Sequence, residues 1–379
     1  MPNTYANQNT MAGWCFAPAD IADAKQGRRM LNVSLDLSNP CNLNCPYCYI
    51  EEKNSSRKVR LPGELTVNET RSVLEQFAGA GAKTVNLVGA GEPTIDPVFR
   101  TVVSMIVDFG MIPVVFTNGL RLANDVEMVD FLDRSGATVV LKYNAVDHHT
   151  QDLLAGRPGY TDSRNAALEC LLEFQFQQAT PTRLAFDIIA VRGNLEQIPG
   201  IHRYCRQQNI LPILGDLIPT GRTENGRFVG HASLSRLSES DRREVTQLLQ
   251  PLHADERADL YSQLKTIDES EYGIRHAATP AYYSGFGCTQ LLGLYVDIRG
   301  NVWPCVARTR RVGGAWLAEP LGNIRRGADL LDLWKHSSYM AELRAGFSGG
   351  CPYKPMLGGT PDTGSRTLHP TRLSLAVIE

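Results

Sequence analysis

Apolar positions recur along residues 31–219 in short runs that alternate with helix-like stretches. Six strand-like runs occur, at residues 31–38, 83–89, 111–119, 137–144, 182–191 and 210–219. Helix-like stretches lie near residues 67–80, 97–109, 124–134, 161–176 and 195–208. Thr66 and Glu69 have the spacing of a capping box, which predicts the start of the first helix. Strands that alternate with helices of this length predict an α/β fold of parallel βαβ units.

The six units fit either an open doubly wound sheet or a barrel. In both folds, ligands bind at the C-terminal ends of the parallel strands. Polar residues stand at these positions after the first five strands, namely a cysteine loop at 41–48, Gly91-Glu92-Pro93, Asn118, Asn144 and Arg192. We therefore expect the functional site at this end of the sheet.

The composition changes twice after the last of these units. Residues 231–279 are charged and helical in pattern, and residues 280–360 consist of short β-like pieces rich in glycine and aromatic residues. We expect an N-terminal extension (1–30), an α/β domain (31–230), a helical connector (231–279), a small C-terminal α+β domain (280–360) and a tail (361–379).

Charge and hydropathy exclude several classes of protein. The 379 residues carry a formal net charge of -2 and are 43% hydrophobic, as is usual for soluble globular chains. Bulk electrostatics therefore predict no nucleic-acid or membrane partner. No apolar run approaches the ~20 residues that span a bilayer, and the first residues lack the pattern of a secretory signal. We expect a cytoplasmic protein.

The nine cysteines indicate metal binding rather than disulfides, because an odd number in a reducing compartment does not suit a disulfide framework. Cys41, Cys45 and Cys48 lie in one loop directly after the first strand. Clustered thiolates select zinc, Cu(I) or an iron–sulfur cluster. Zinc would need a fourth, distant ligand, since histidine is absent from residues 1–140. A four-iron cluster on three cysteines would keep one iron open for a substrate or cofactor.

The loop CNLNCPYCY resembles the signature of the radical S-adenosylmethionine (SAM) superfamily. Tyr47 matches the aromatic residue before the third cysteine. The segment VGAGEPTID resembles the family's Gly-Gly-Glu-Pro element, although Ala90 stands where glycine is usual. The resemblance covers residues 31–219 and implies a partial (β/α)6 TIM-like barrel.

The same resemblance implies the cofactors and their contacts. A [4Fe–4S] cluster would be held by the three loop cysteines, and SAM would bind its open iron. The implied SAM contacts are Tyr47 at the adenine, Gly91, Glu92 and Pro93 at the methionine amino group, Asn118, Asn144 at the ribose, and Arg192 at the carboxylate.

A second cysteine group lies near the C-terminus. Cys288 and Cys305 frame an alternating segment around residues 299–301, whose Arg-Gly-Asn composition predicts a hairpin turn. Cys351 follows after a helical stretch. The arrangement resembles the SPASM/twitch extension of radical SAM enzymes, which implies a small Fe–S domain with an auxiliary [4Fe–4S] cluster on these three cysteines.

The family's last cysteine position is occupied here by Lys354. Three explanations remain open. The auxiliary cluster has an open iron that binds substrate, a remote residue such as Cys15 completes it, or these cysteines bind zinc or are structural.

Three further residues are weaker candidates for catalysis. His148 and His149 follow the fourth strand, where they would act as substrate contacts or a proton relay unless they lie in a solvated loop. Cys205 matches the hydrogen-donating cysteine of some radical SAM epimerases only if it faces the barrel mouth. Its position within a helical run, like that of Cys170, favours a buried packing role.

The resemblance implies reductive cleavage of SAM to a 5′-deoxyadenosyl radical, with a reductant such as flavodoxin or ferredoxin. Residues 1–30 are too few for a leader-peptide-binding domain. We therefore expect a small polar substrate of the sugar, aminocyclitol or nucleoside type, in natural-product or antibiotic biosynthesis. Oxidation, epimerisation, dehydration and decarboxylation are the outcomes considered. The alternatives are a maturase for a peptide or protein side chain and a zinc-stabilised non-catalytic protein.

Overall fold

Six parallel strands form the centre of the molecule. The computed structural model describes residues 10–49, 60, 62–217, 222, 238–274, 291–306, 311–312, 315–316 and 319–346. The strands are Asn32–Leu35 (β1), Thr84–Leu87 (β2), Ile112–Thr117 (β3), Thr138–Lys142 (β4), Leu184–Ala190 (β5) and Leu211–Asp216 (β6). They pair in chain order, each parallel to the next. An order without reversal is that of a partial (β/α)6 barrel rather than a doubly wound sheet, so the predicted barrel is confirmed.

Helices follow the strands along the chain. Their bounds are Pro18–Lys25 (α1), Val67–Gly79 (α2), Phe99–Asp108 (α3), Val126–Arg134 (α4), His148–Ala155 (α5), Tyr160–Glu173 (α6), Ile198–Gln207 (α7), Glu239–Leu248 (α8), Ala254–Glu271 (α9), Leu330–His336 (α10) and Ser338–Gly346 (α11). The capping box at Thr66 and Glu69 is present. Two helices were not expected from the pattern: α1 lies in the predicted N-terminal extension, and α5 begins at His148 and His149, for which a solvated loop was the alternative. Asp147 caps α5 by accepting a bond from the Thr150 amide.

The two faces of the barrel sheet have different neighbours. The outer face packs on the helices in the main core, which includes Val139 and Phe186 from the strands and Phe77 from α2. The inner face carries a separate, smaller cluster that includes Val140 and Ala185. Because side chains alternate between faces along a strand, residues two positions beyond these also point inward.

Residues 11–14 close the N-terminal end of the barrel. The Ala12 carbonyl accepts a hydrogen bond from the Thr138 hydroxyl at 2.9 Å, and the Gly13 carbonyl accepts one from the Thr84 hydroxyl. Thr84 and Thr138 are the first residues of β2 and β4. With this end covered, the C-terminal ends of the strands are where a site can open.

A C-terminal hairpin extends the barrel sheet. Its strands are Tyr295–Val296 (β7) and Asn301–Trp303 (β8), and they are antiparallel, as predicted for the turn at 299–301. The sheet gains β7 beside β1, in parallel, and Gly322–Asn323 (β11) beside β8. Arg311–Val312 (β9) and Ala315–Trp316 (β10) pair separately. The hairpin therefore shares one sheet with the barrel, while the boundary placed at residue 280 stays a prediction.

The predicted helical connector contains α8 and α9 within its described part. A buried charge cluster fixes α9 against α7: Asp268 bonds to His202 at 2.6 Å and to Arg206 at 2.8 Å. Among the described residues, no helix combines the length and apolar character needed to cross a bilayer.

The closure of the barrel floor can be tested at Gly13. This residue has φ +86°, and a Cβ atom there would lie 2.8 Å from Cγ2 of Val114 on the inner face. Gly13→Ala should lower the free energy of unfolding by the left-handed backbone cost of about 1–2 kcal/mol plus about 1–3 kcal/mol for overpacking. Denaturant titration measures the total loss of unfolding free energy.

Gly110→Ala is the matched control. Gly110 also has a positive φ (+74°), but nothing lies within 4 Å of the point that a Cβ atom would occupy there. Equal losses of stability in the two variants would contradict the tight packing of residues 11–14 in the barrel.

Candidate functional site

The three loop cysteines are buried together at the C-terminal end of β1. Cys41, Cys45 and Cys48 are 5%, 9% and 7% exposed, and they pack in one group of buried apolar side chains. Its other members are Leu43, Leu120, Ala155 and Tyr160, with Tyr47 packed against them. The Cys48 amide donates to the Cys45 carbonyl at 3.1 Å, which folds this part of the loop into a turn. The sequence prediction of a cysteine loop at a strand end is therefore realised in the geometry.

The segment after β2 supports the base of the loop through backbone hydrogen bonds. The Gly91 amide donates to the Ser38 carbonyl at 2.9 Å, and the Glu92 amide donates to the Pro40 carbonyl at 2.8 Å. A Cβ atom on Gly91 would lie 1.9 Å from the Pro40 carbonyl oxygen. Glycine is therefore required at position 91, because any side chain would separate the two segments.

Glu92 joins the ends of β2 and β3. Its Oε1 accepts from the Thr94 amide (3.2 Å), the Thr94 hydroxyl (2.6 Å) and the Thr117 hydroxyl (2.6 Å), and its Oε2 accepts from the Asn118 amide (2.8 Å). Burial raises the pKa of Glu92, and these donors oppose that effect. Oε2 has accepting capacity left, which suits the amino group that the family resemblance assigns to this carboxylate.

Two asparagines connect the loop to β3 and β4. The Asn118 side chain donates to Oδ1 of Asn42 at 2.8 Å. The Asn144 side chain donates to the Tyr47 hydroxyl at 2.8 Å and accepts from the Ile189 amide at 2.9 Å. Both residues thus position the loop, and their contacts with SAM stay predictions.

Arg222 was missed by the sequence analysis. It follows β6, and its amide donates to the Cys48 carbonyl at 3.0 Å. Its guanidinium Nη1 donates to the Cys45 carbonyl, also at 3.0 Å. The segment Gly-Arg-Thr after the last strand carries no pattern that distinguishes this arginine from a solvated one.

An ion pair between Lys142 and Asp187 was also missed. The two residues stand directly opposite each other on β4 and β5, and their Nζ and Oδ2 atoms are 2.8 Å apart. They lie two positions beyond Val140 and Ala185, and so point into the barrel. Lys142 Nζ is 5.2 Å from the Tyr47 ring centroid. The sequence did offer a signal for this pair, because each of the two apolar strands contains one charged residue.

The residues present fit an iron–sulfur cluster by their chemistry. Three buried thiols occupy one loop, and neighbouring strand ends hold the loop's carbonyl and amide groups. In the described part of the chain, no three Cys, His, Asp or Glu side chains converge as the ligands of a single metal ion do. A four-iron cluster requires less convergence, because each thiolate binds a different iron.

Arg192 lies at an ion pair with the connector. Its Nε is 3.2 Å from a carboxylate oxygen of Glu256 on α9, and its amide donates to the Gln250 carbonyl. The structure therefore gives the Arg192 guanidinium a protein partner in Glu256, and none of its described contacts is with the cysteine loop. Its contact with the carboxylate of SAM stays a prediction.

The described contacts of His148, His149 and Cys205 are with residues other than those of the cysteine loop. His148 and His149 are exposed on α5, where His149 pairs with Glu244 at 2.7 Å and His148 approaches Asp162 at 3.4 Å. Cys205 is fully buried in the main core, and burial raises the pKa of its thiol. Cys170 is half-buried on α6. These positions favour surface contacts with carboxylates for the histidines and packing for Cys205.

The second cysteine group is only partly described. Cys288 and Cys351 lie outside the described residues. Because β7 runs parallel to β1 and β8 runs back, β8 ends towards the N-terminal edge of the sheet, and Cys305 follows it by two residues. The exposed Cys15 follows residues 11–14 at the same edge. The fold thus brings Cys15 and Cys305 to one end of the barrel.

Comparison with known proteins agrees with this arrangement. Residues 36–185 match the model of the radical SAM superfamily. The chain is 24% identical to the AdoMet-dependent heme synthase of Methanosarcina barkeri over 341 residues, which cover 86% of this chain and 90% of that protein. It is 28% identical to the PqqA peptide cyclase of Bradyrhizobium diazoefficiens over 171 residues, covering 45% of this chain and 42% of that one.

Solved structures share the fold. Streptococcus suis SuiB bound to S-adenosylmethionine has a TM-score of 0.59 at 16% identity, covering 86% of this chain and 71% of that one. The protein anSMEcpe with bound AdoMet and a Cp18Cys peptide has a TM-score of 0.57 at 14% identity, with 91% of each chain covered. The match at residues 36–185 identifies a radical SAM domain in this chain, and the cofactors of that superfamily are SAM and a [4Fe–4S] cluster.

The role of Glu92 in joining β2 and β3 can be tested without any cofactor. Glu92→Gln replaces one accepting oxygen by an NH2 group that faces fixed donors. We expect the apo-protein to lose about 1–3 kcal/mol of unfolding free energy. Glu173→Gln, at an exposed position on α6, should change stability by less than about 0.5 kcal/mol. Equal stability of the two variants would contradict the bonding described for Glu92.

Proposed function

We propose that this enzyme abstracts a hydrogen atom from a small polar substrate bound inside the barrel. The observation that carries the proposal is the Lys142–Asp187 ion pair on the inner wall beside Tyr47. The two side chains are 17% and 26% exposed, so the pair is neither solvated nor fully buried. A substrate between this wall and the cysteine loop would meet one donor and one acceptor.

The placement of this pair does not suit a purely structural role. Even a half-buried ion pair loses part of its hydration, which offsets its Coulombic attraction, so the pair is weak evidence for a stabilising role alone. The neighbouring inner-wall residues are apolar, including Val140 and Ala185. Hydroxyl or amino groups of a sugar, aminocyclitol or nucleoside would bond to Lys142 and Asp187 and add to their hydrogen bonding.

The positions of the residues in and beside the loop support the cofactor contacts that the family resemblance implies. Cys41, Cys45 and Cys48 would hold the cluster. When bound, the cluster supplies the electron that cleaves SAM to methionine and a 5′-deoxyadenosyl radical. SAM would be bound and oriented by Tyr47 in the loop and by the strand-end residues beside it, which are Gly91, Glu92, Pro93, Asn118 and Asn144.

A relative that matches along most of both chains, the heme synthase of Methanosarcina barkeri, supports a small-molecule substrate. It is named a heme synthase, and heme is a small molecule. We therefore retain the proposal of a natural-product type of reaction, with oxidation, epimerisation, dehydration or decarboxylation as its outcome. The reductant would be a flavodoxin or ferredoxin. The family match favours an enzyme over a zinc-stabilised non-catalytic protein.

Modification of a peptide or protein side chain is the second candidate. The observation in its favour is the partial match to the PqqA peptide cyclase, which spans less than half of either chain. A charged peptide side chain would also meet complementary groups at Lys142 and Asp187.

Label transfer into 5′-deoxyadenosine distinguishes these substrate classes. Reconstituted, reduced enzyme is given SAM with deuterated sugars, aminocyclitols, nucleosides or peptides. We expect a small polar compound to stimulate 5′-deoxyadenosine release and to pass deuterium into it. Stimulation and label transfer by peptides alone would contradict the proposed substrate class.

The contribution of the ion pair is tested with the stimulating compound. Lys142→Met should raise the KM for that compound at least tenfold, while unstimulated SAM cleavage persists. Lys265→Met is the matched control, because Lys265 pairs with Glu269 on the exposed surface of α9. An unchanged KM in Lys142→Met would remove the ion pair from the substrate site.

We also propose an auxiliary cluster held by Cys288, Cys305 and Cys351. The placement of Cys15 at the same edge of the barrel as Cys305 supports Cys15 as the remote ligand, over the alternatives of an open iron or a zinc site.

Iron analysis tests the auxiliary cluster. The reconstituted chain should contain about eight irons, and Cys305→Ala and Cys15→Ala about four each, because a four-iron cluster is lost. Cys170→Ala should retain all of them, since Cys170 lies on α6. If Cys305→Ala leaves the iron content unchanged, the second cluster is excluded. If Cys305→Ala loses about four irons but Cys15→Ala loses none, an auxiliary cluster with an open iron is favoured.

A further inference from the structure

Two arginines donate hydrogen bonds to backbone carbonyls of the cysteine loop, but their surroundings differ. Arg222 donates from Nη1 to the Cys45 carbonyl at 3.0 Å, and Arg157 donates from Nη1 to the Asn42 carbonyl at 3.2 Å. Arg222 is 3% exposed, whereas Arg157 lies at the surface. Only the first of these charges is therefore removed from water.

The Arg222 guanidinium lacks a counter-charge in the described part of the chain. Its described partner is a neutral carbonyl, and its buried Nε has no hydrogen-bond partner. No carboxylate from the described residues forms an ion pair with it. A buried charge is costly unless an opposite charge compensates it, which favours an anionic group beside this side chain when the protein is loaded.

The cysteine loop supplies such an anion when it carries its cluster. Three thiolates outweigh the positive charge of an oxidised four-iron core, and reduction adds one more negative charge. The same loop carbonyls that Arg222 bonds belong to Cys45 and Cys48, two of the three thiol-bearing residues. The guanidinium is thus placed where its charge acts on the cluster with little screening by water.

We propose that Arg222 is the buried counter-charge of the SAM-binding cluster and raises its reduction potential. The proposal rests on the cluster assignment made under the proposed function. A positive charge stabilises the reduced, more anionic form over the oxidised form. Arg222 accordingly has two roles. Its hydrogen bonds position the loop carbonyls, and its positive charge stabilises the cluster after an electron has entered it.

The test is a redox titration of the reconstituted full chain. The titration is monitored by EPR, through the signal that changes when SAM is added. Arg222→Gln removes the charge but keeps a donor for the Cys45 carbonyl. We expect its one-electron reduction equilibrium to shift about tenfold towards the oxidised cluster, a midpoint potential about 59 mV lower. Arg222→Lys keeps the charge and should stay nearer the wild type.

Arg157→Gln is the matched control, because it also removes a guanidinium that bonds a loop carbonyl. Water screens the charge at this exposed position, so the potential should not change. A midpoint potential in Arg222→Gln equal to that of the wild type, with the iron content intact, would overturn the proposal.

Loss of the cluster in Arg222→Gln is also informative. Retention of iron in Arg222→Lys but not in Arg222→Gln would show that charge is required, and equal loss in both would overturn the electrostatic role in favour of geometry. Failure of the wild-type chain to form a [4Fe–4S] cluster would instead contradict the proposed function itself.

Discussion

The site depends on one constraint, which is that the backbone of the cysteine loop is held by hydrogen bonds from the ends of neighbouring strands. Gly91 and Glu92 hold its base, and Arg222 holds the carbonyls of Cys45 and Cys48. Buried backbone groups must be bonded, so these contacts replace the water that a free loop would have. The loop can then keep three thiols inside the protein. The close approach of Gly91 to Pro40 explains why a glycine stands at that position.

The barrel supplies the second part of the arrangement. Residues 11–14 cover its N-terminal end, and the loop lies at the other end. The inner wall is apolar near its middle and charged at Lys142 and Asp187, just below Tyr47. A ligand inside would contact cofactor on one side and this ion pair on the other. The hairpin of β7 and β8 extends the same sheet from β1, so a second cluster near Cys305 would be joined to the barrel by backbone hydrogen bonds.

Much of this fold is visible in the sequence. Apolar runs locate all six barrel strands, because parallel strands buried on both faces have few polar residues. The cysteine spacing and the segment after β2 indicate the cofactor. The helix α5 was missed because its Asp147 cap resembles a polar loop. Arg222 could not be found, since its importance depends on burial against a loop about 175 residues earlier in the chain. Arg192 matched a strand-end position, but Glu256 from α9 competes for its charge.

The proposed function requires that Cys41, Cys45 and Cys48 hold a cluster whose open iron binds SAM. The most direct measurement is the EPR spectrum of the reduced, reconstituted Cys305→Ala chain before and after SAM is added. This variant removes the proposed second cluster from the spectrum. The account predicts a [4Fe–4S] signal whose g-values shift when SAM binds, because a ligand at the open iron changes that iron's surroundings. A signal that stays unchanged at a SAM concentration shown to saturate binding would contradict it.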